Sequence, residues 1–279
     1  MQINGKKIVC LGGGVGTANL LAGLKHSGDI TAIVSMADDG GSAGRLRRLY
    51  HIPPSGDVVN CMIALSDADE VMQKLLAYRF PGDRYAPDNS LHGQKIANLM
   101  FAAMMGILKD FPKAIAEMEK IFKVKGKIYP STLTDISIWA KTSTGHMVTR
   151  EENIDLGKFK GQLKRLHIDP KNPPAPPGAI EAIQEADCII AGPGDLYTTI
   201  LPVLLIPDIQ NAIKSSKARK IFVVNVANKR FETPNFTLDD FVYTIKKHCG
   251  DSLFDTFLQN DNLNIDIPAK YKNEYKYGP

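Results

Sequence analysis

The chain alternates between short apolar runs and segments with helical spacing. KIVCL (7–11) is an apolar run that ends in a glycine cluster, residues 17–26 carry helical spacing, and ITAIVSM (30–36) is a second apolar run. A strand covered on both faces reads this way, so the order strand, glycine turn, helix, strand predicts a parallel pair with a right-handed crossover. Residues 37–57, ADDGGSAGRLRRLYHIPPSGD, are rich in Gly, Ser and Pro and read as a long polar loop at the carboxyl end of the second strand. Helical spacing is predicted at 58–80 in two pieces, at 93–108 and at 111–122.

The pattern changes over 127–168, where short β-like runs (ISIWA, HMVT, LKRLHI) alternate with turn residues. KNPPAPPGA then stiffens the path and opens a helix at 179–186. DCIIA reads as a strand, GPGDLYTTILPVLL follows it, and a helix at 208–216, a strand at 220–227 and a helix at 237–248 come next, with a last strand-like stretch near 253–258. The expected fold class is α/β: a Rossmann-like open, mostly parallel sheet with helices on both faces and a small β-rich insertion in the middle, about 127–168. The whole of 1–279 is expected to form one domain.

Composition narrows this picture without redirecting it. Of 279 residues, 44% are hydrophobic and 23% charged, an ordinary globular balance. A net charge of +4 gives no clustered basic stripe, so nucleic acid is not an expected partner. Cys10, Cys61, Cys188 and Cys249 are far apart and form neither a zinc pattern nor a disulfide framework. No signal-peptide pattern opens the chain, and no run approaches the ~18–20 apolar residues of a membrane span, so a cytoplasmic protein is expected.

Chemistry concentrates at the strand ends. Gly12, Gly13, Gly14 and Gly16 let the backbone approach an anion, the following helix offers free N–H groups, and Thr17 adds a donor. The dinucleotide fingerprint G-x-G-x-x-G fails because position 17 is Thr, and no Walker motif is present. Asp38 and Asp39 follow the second strand, where an acid can bind a ribose hydroxyl or hold Mg²⁺ near a phosphate. Arg45, Arg47 and Arg48 either clamp phosphate or are solvated. Asp57 reads as a helix N-cap, with Asn60 one turn in. His92 and Asn98 bracket the start of the apolar helix. In AGPGDLYTT (191–199), Gly192 and Gly194 repeat the cradle chemistry on the same rim, with Asp195, Tyr197 and Thr198 beside them. Asn225 and Asn228 end the strand at 220–227 and can read a base or sugar. The result is a nucleotide-shaped crevice without an evident nucleophile or metal-binding histidine cluster.

GGGVG with its helix, ITAIVSMADDGGSAGRLRR, PPSGDVVNC, LHGQKIANL, YPSTL and AGPGDLYTTILPVLL together resemble the YvcK/CofD-like family, in order from about residue 7 to 250. The resemblance implies ligand held at the strand ends. In the YvcK-like branch, the gluconeogenesis or morphogenesis factors, it implies a nucleotide sugar such as UDP-N-acetylglucosamine and a protein partner in cell-wall precursor control. In the CofD branch it implies transfer of a phospholactyl group from a guanylylated donor to a deazaflavin with Mg²⁺, and Asp38 and Asp39 would then hold the metal. A homo-oligomer is open through a sheet edge or the 93–108 helix. The sequence departs from the family pattern at Val15 (usually Thr), Val59 (Arg) and Asp195 (Ser), and Lys229-Arg230-Phe231-Glu232-Thr233 replaces Gln-Pro-Gly-Glu-Thr. These departures bear on the ligand more than on the fold.

Overall fold

A computed structural model describes residues 5–250, 253–262, 267–269, 272 and 275–277. The first apolar run forms β1 (Lys7–Gly12), the glycine cluster opens α1 (Gly14–Leu24), and the second run forms β2 (Asp29–Val34). Then come α2 (Gly41–Tyr50), α3 (Gly56–Leu65), α4 (Glu70–Ala77), α5 (Ile96–Leu108) and α6 (Phe111–Ile121). β3 (Lys127–Pro130), β4 (Ser137–Thr142), β5 (Met147–Thr149), α7 (Glu151–Asp155) and β6 (Leu163–Asp169) make up the middle. The last part carries α8 (Pro177–Glu185), β7 (Cys188–Ala191), α9 (Leu201–Leu204), α10 (Pro207–Ser215), β8 (Arg219–Val223), β9 (Ala227–Lys229), α11 (Leu238–Cys249), β10 (Thr256–Leu258) and β11 (Tyr275–Tyr277).

Six strands form one parallel sheet in the order β10-β8-β7-β1-β2-β3. The chain runs outward from β1 to β3, returns, and runs outward again from β7 to β10, so the strand order reverses between β1 and β7. Right-handed crossovers in the two directions place α1 and α3 on one face and α8 and α10 on the other. Cys10, Leu11, Ala32, Ile33 and Ile189 are buried, as strands covered on both sides require. Among the described residues no single helix is long and apolar enough to cross a membrane.

Three elements differ from the sequence expectation. The polar stretch 37–57 contains a helix, α2. Its Gly and Ser content hides Leu46 and Arg45, both buried, and Arg45 donates to the carbonyls of Ala86 (3.0 Å), Pro87 (2.9 Å) and His92. The β-rich insertion is narrower than 127–168, because β3 pairs with β2 in the main sheet; the antiparallel sheet proper is β5-β4-β6. The strand expected over 220–227 stops at Val223, and β9 pairs instead with β11.

Candidate functional site

The reversal of strand order places the loops after β1 and β7 side by side. Gly192 N–H donates to Leu11 O (3.0 Å), and Thr17 Oγ1 donates to Pro193 O (3.2 Å) while accepting from Gly13 N–H (3.0 Å). Thr17 is fully buried, so its hydroxyl bolts the two loops together and does not face a ligand. Gly16 is required here: a Cβ would lie 2.6 Å from the Pro193 carbonyl oxygen. Gly12 sits at φ 152° with Thr17 Oγ1 directly over its α-carbon, and Gly14 starts α1 at φ 63°.

Asp57 supplies what sequence reading understated. A Cβ on Gly13 would lie 2.3 Å from Asp57 Oδ2, and Asp57 accepts from the Gly14 N–H. The carboxylate therefore caps α1, in the position expected for a phosphate. Asp38 comes in from β2: a Cβ on Gly56, the residue before Asp57, would lie 2.8 Å from Asp38 Oδ2. Burial, with the like charge of Asp38, pushes Asp57 up to about 7 against the Gly14 N–H, which holds it down. Burial likewise pushes Asp38 up to about 6, opposed by the Gly40 N–H at 3.1 Å and reinforced by Asp39.

Asp39 behaves differently. Its Oδ2 accepts from Arg150 Nε (3.1 Å) and its Oδ1 from Glu152 N–H (3.0 Å), so the carboxylate ties α7 to the rim. A cation would have to displace both donors. Asp38 with Asp57 fits a Mg²⁺ site better than Asp38 with Asp39, because Mg²⁺ commonly takes one or two carboxylates and completes its shell with phosphate and water. The arginines are also engaged. Arg47 donates to Asp38 O (3.0 Å) and pairs with Asp135, and Arg48 holds Asp88 through two bonds of 3.2 and 2.8 Å.

On the α3–α5 side, the Lys95 ammonium donates to Asn60 Oδ1, and burial with nearby Arg79 lowers Lys95 to about 8. Asn98 is buried and its Oδ1 has no partner; Gln94, missed in the sequence, leaves both amide atoms unpaired, and so does the Ser55 hydroxyl. His92 is exposed, and the group it contributes is its carbonyl, which accepts from Arg45.

At the other end of the rim, Gly192 and Gly194 form the second loop. Asn225 Oδ1 accepts from Gly194 N–H (2.7 Å), fixing that loop. Asp195, Tyr197 and Thr198 are drawn into a network centred on Glu232. Buried Glu232 accepts from Tyr197 N–H (2.9 Å), Thr198 N–H (3.1 Å) and Thr198 Oγ1 (2.7 Å), while Tyr197 OH donates to Leu163 O (3.3 Å). The carboxylate sits on a π-helical turn, Leu196–Ile200, that leads into α9, where free N–H groups favour an anion. Burial alone would discharge Lys229, but Glu232, Asp195 and Asp155 outweigh it and hold the ammonium firmly charged. Lys229, Glu232 and Asp155 carry no local pattern that marks them as neighbours of Asp195. A cleft of about 460 Å³ opens on the β2 side of the rim, lined by Met36, Asp39, Arg47, Phe111, Leu133 and Arg150 among others.

The family model for 2-phospho-L-lactate transferase CofD matches residues 8–278. A relative in Aquifex aeolicus is 46% identical over 262 residues, covering 92% of this chain and 78% of the relative. A Bacillus subtilis protein named gluconeogenesis factor is 40% identical over 271 residues, covering 97% of this chain and 82% of that protein. A crystal structure of a Bacillus halodurans protein superposes with a TM-score of 0.88 at 39% identity, covering 99% of this chain and 87% of that one. Matched over nearly its whole length, the chain belongs to the YvcK/CofD-like family.

Proposed function

We propose that the protein binds a nucleotide sugar, UDP-N-acetylglucosamine or a close relative, across the β1–β7 crevice and acts through a protein partner on cell-wall precursor supply. The observation that carries the ligand reading is the meeting of two glycine-rich strand ends where strand order reverses, with Asp57 at the start of α1 and Asp38 against Gly56, the residue before it. Asp57 occupies the helix terminus that a phosphate would favour, so an anionic ligand needs a cation to be accepted there. Asp38 and Asp57 are the residues that would hold Mg²⁺, which supplies the positive charge the diphosphate requires. Unpaired Ser55, Gln94 and Asn98 support a ligand rich in hydroxyl and amide groups. The regulatory part rests on the family resemblance; the name of the Bacillus subtilis relative, gluconeogenesis factor, supports only a link to carbon metabolism.

The test is calorimetric titration with UDP-N-acetylglucosamine, with and without Mg²⁺, on the wild type and Gly14→Asp. Mg²⁺-dependent binding that the variant loses is the expected result. Absence of binding by the wild type under both conditions would overturn the reading.

A second reading, a CofD-like transferase, has its own support. Asp57, held up to about 7, is poised to take a proton from an acceptor hydroxyl near neutral pH. The cleft beside Asp39 supplies an apolar wall of Met36, Ile52, Phe111 and Leu133 for a flat acceptor. Mg²⁺-dependent turnover with a deazaflavin acceptor, and loss of kcat in Asp57→Asn with little change in KM, would favour this reading over the first.

A further inference from the structure

The antiparallel sheet of the insertion has two faces of different character. Ile138, Ala140 and Leu166 point inward and are buried. The alternate positions are exposed or half-buried, and the strand register sets them in rows. Met147, Lys141 and Arg165 form one row, and Thr149, Trp139 and His167 form the next. Trp139 is the only tryptophan of the chain. Its ring stacks on His167, with centroids 4.0 Å apart and planes 14° apart. Met147 is 63% exposed.

Like charges directly opposite one another destabilise a sheet, and Lys141 stands directly opposite Arg165. Burial lowers His167, and the positive charges of Arg165, Lys141 and Lys171 lower it further, so three cations gather at this ring. None of the three joins an ion pair among the described residues. The one acid on this face of the β4–β6 ladder is Asp169, opposite Ser137 and at the far end from Lys141. The chain supplies no counter-charge between Lys141 and Arg165, and an acid from outside would. Trp, Met and Arg are also the residue types enriched where proteins meet.

We propose that this face of the insertion is a docking surface for an acidic segment of a partner protein, with Trp139 and Met147 as its apolar contacts and Lys141, Arg165 and Lys171 as its charged ones. A nucleic acid fits less well. His167 covers one face of the Trp139 ring and Thr149 stands opposite on β5, so the ring presents an edge and not a platform on which a base stacks. The face includes none of the residues that form the β1–β7 crevice. The proposal rests on the regulatory reading only for what the partner does: nucleotide binding can fail without it, and it can fail without nucleotide binding.

The single tryptophan makes the face its own reporter. Tryptophan emission of the full chain is titrated with poly-L-glutamate at low and high salt, and thermal unfolding is followed alongside. The wild type is expected to respond, with a midpoint that weakens as salt rises. Lys141→Glu decides the matter, because it turns the repulsion across from Arg165 into an attraction. It is expected to melt higher than the wild type and to bind polyglutamate at least about tenfold more weakly. A double variant, Lys113→Glu with Lys217→Glu, changes the net charge more, at exposed positions outside this face. It is expected to bind within about twofold of the wild type. A wild type whose emission does not respond overturns the proposal. So does a Lys141→Glu protein that binds as the wild type does or melts no higher, and so does a double variant that loses as much affinity. An oligothymidylate of equal charge that binds more tightly than polyglutamate, and loses that affinity in Lys141→Glu, overturns it in favour of nucleic acid.

Discussion

Two groups of acids lie along one rim, and they differ in what neutralises them. Asp155, Asp195 and Glu232 surround Lys229, and Glu232 also accepts two backbone N–H groups and a hydroxyl. Asp38 and Asp57 each accept one backbone N–H, and among the described residues neither makes an ion pair. Burial raises Glu232 in the first group and Asp38 and Asp57 in the second, yet only the first group has a cation of its own. The satisfied group reads as architecture. The unsatisfied pair, at a helix start and beside two glycine loops, reads as the place that awaits a charge from outside.

The sharpest way to break this comparison is to remove the built-in cation. Lys229→Met leaves a buried cluster of carboxylates without a counter-charge, which is expected to cost about 3–5 kcal/mol in urea unfolding. A loss below about 1 kcal/mol would place the pair among weak surface ion pairs and erase the distinction between the two groups. Next in size is Gly16→Ala. Its Cβ would meet the Pro193 carbonyl at 2.6 Å, and backbone yields less readily than a side chain. The two loops must separate, with an expected loss of about 1–3 kcal/mol. UDP-N-acetylglucosamine binding is expected to weaken by roughly tenfold or more, about 1.4 kcal/mol, by calorimetry. Unchanged binding would move the ligand away from the β1–β7 crevice.

The same two regions explain what could be read from the sequence. β1, β2 and β7 were legible because a strand covered on both faces must be apolar throughout. Their glycine-rich ends were legible because close backbone approach excludes side chains. From those features the Rossmann-like sheet and the crevice follow. The Lys229 group was not legible: Lys229 meets Asp155 across 74 residues and Asp195 across 34, and no local periodicity encodes such contacts. Asp57 reads in the sequence as the N-cap of its own helix, but Ser55 holds that position and Asp57 lies inside the first turn of α3; that it reaches across to the first turn of α1 depends on how α1 and α3 pack. Helix α2 was hidden because its turns are built on glycine and serine, and a buried arginine holding three carbonyls outweighs their poor helix propensity.

A smaller effect tests the unsatisfied pair directly. The fold raises Asp57 from 3.8 to about 7, so the folded state holds a proton that the unfolded chain releases. Its contribution is fully present below about pH 3.8 and is lost as pH rises through about 7. Asp57→Asn, which keeps an acceptor for Gly14, is therefore expected to be more stable than the wild type at pH 8, by about 1–2 kcal/mol once partial solvent access is allowed for. That difference should vanish near pH 4. Mg²⁺ should raise the melting temperature of the wild type at pH 8 and leave Asp57→Asn unmoved. Equal responses would mean that Asp57 holds no cation.

The smallest expected effect has the opposite sign and lies away from the rim. His248 on α11 accepts from Leu166 N–H through Nε2 (2.9 Å) and donates through Nδ1 to Thr244 O (2.7 Å), which pins β6 of the insertion to α11. The bond from Leu166 requires the neutral ring, because a protonated Nε2 cannot accept, whereas Nδ1–H donates to Thr244 O in either state. Burial, against the pull of Thr244 O, lowers His248 from 6.5 to about 4, and Arg165, Lys247 and His167 add to the effect. Here the unfolded chain binds the proton first, so this contribution is complete above about pH 6.5 and is lost as pH falls toward 4. The carboxyls of Asp38 and Asp57 change stability in the other direction over an overlapping range, so the wild-type profile between pH 4 and 6.5 is flattened by cancellation. His248→Gln keeps an acceptor for Leu166 but does not titrate. Relative to the wild type it is expected to gain about 1 kcal/mol as pH falls through this range, read from urea midpoints at each pH. A variant that tracks the wild type throughout would show that the ring is already solvated, and that the insertion is held to α11 by packing alone.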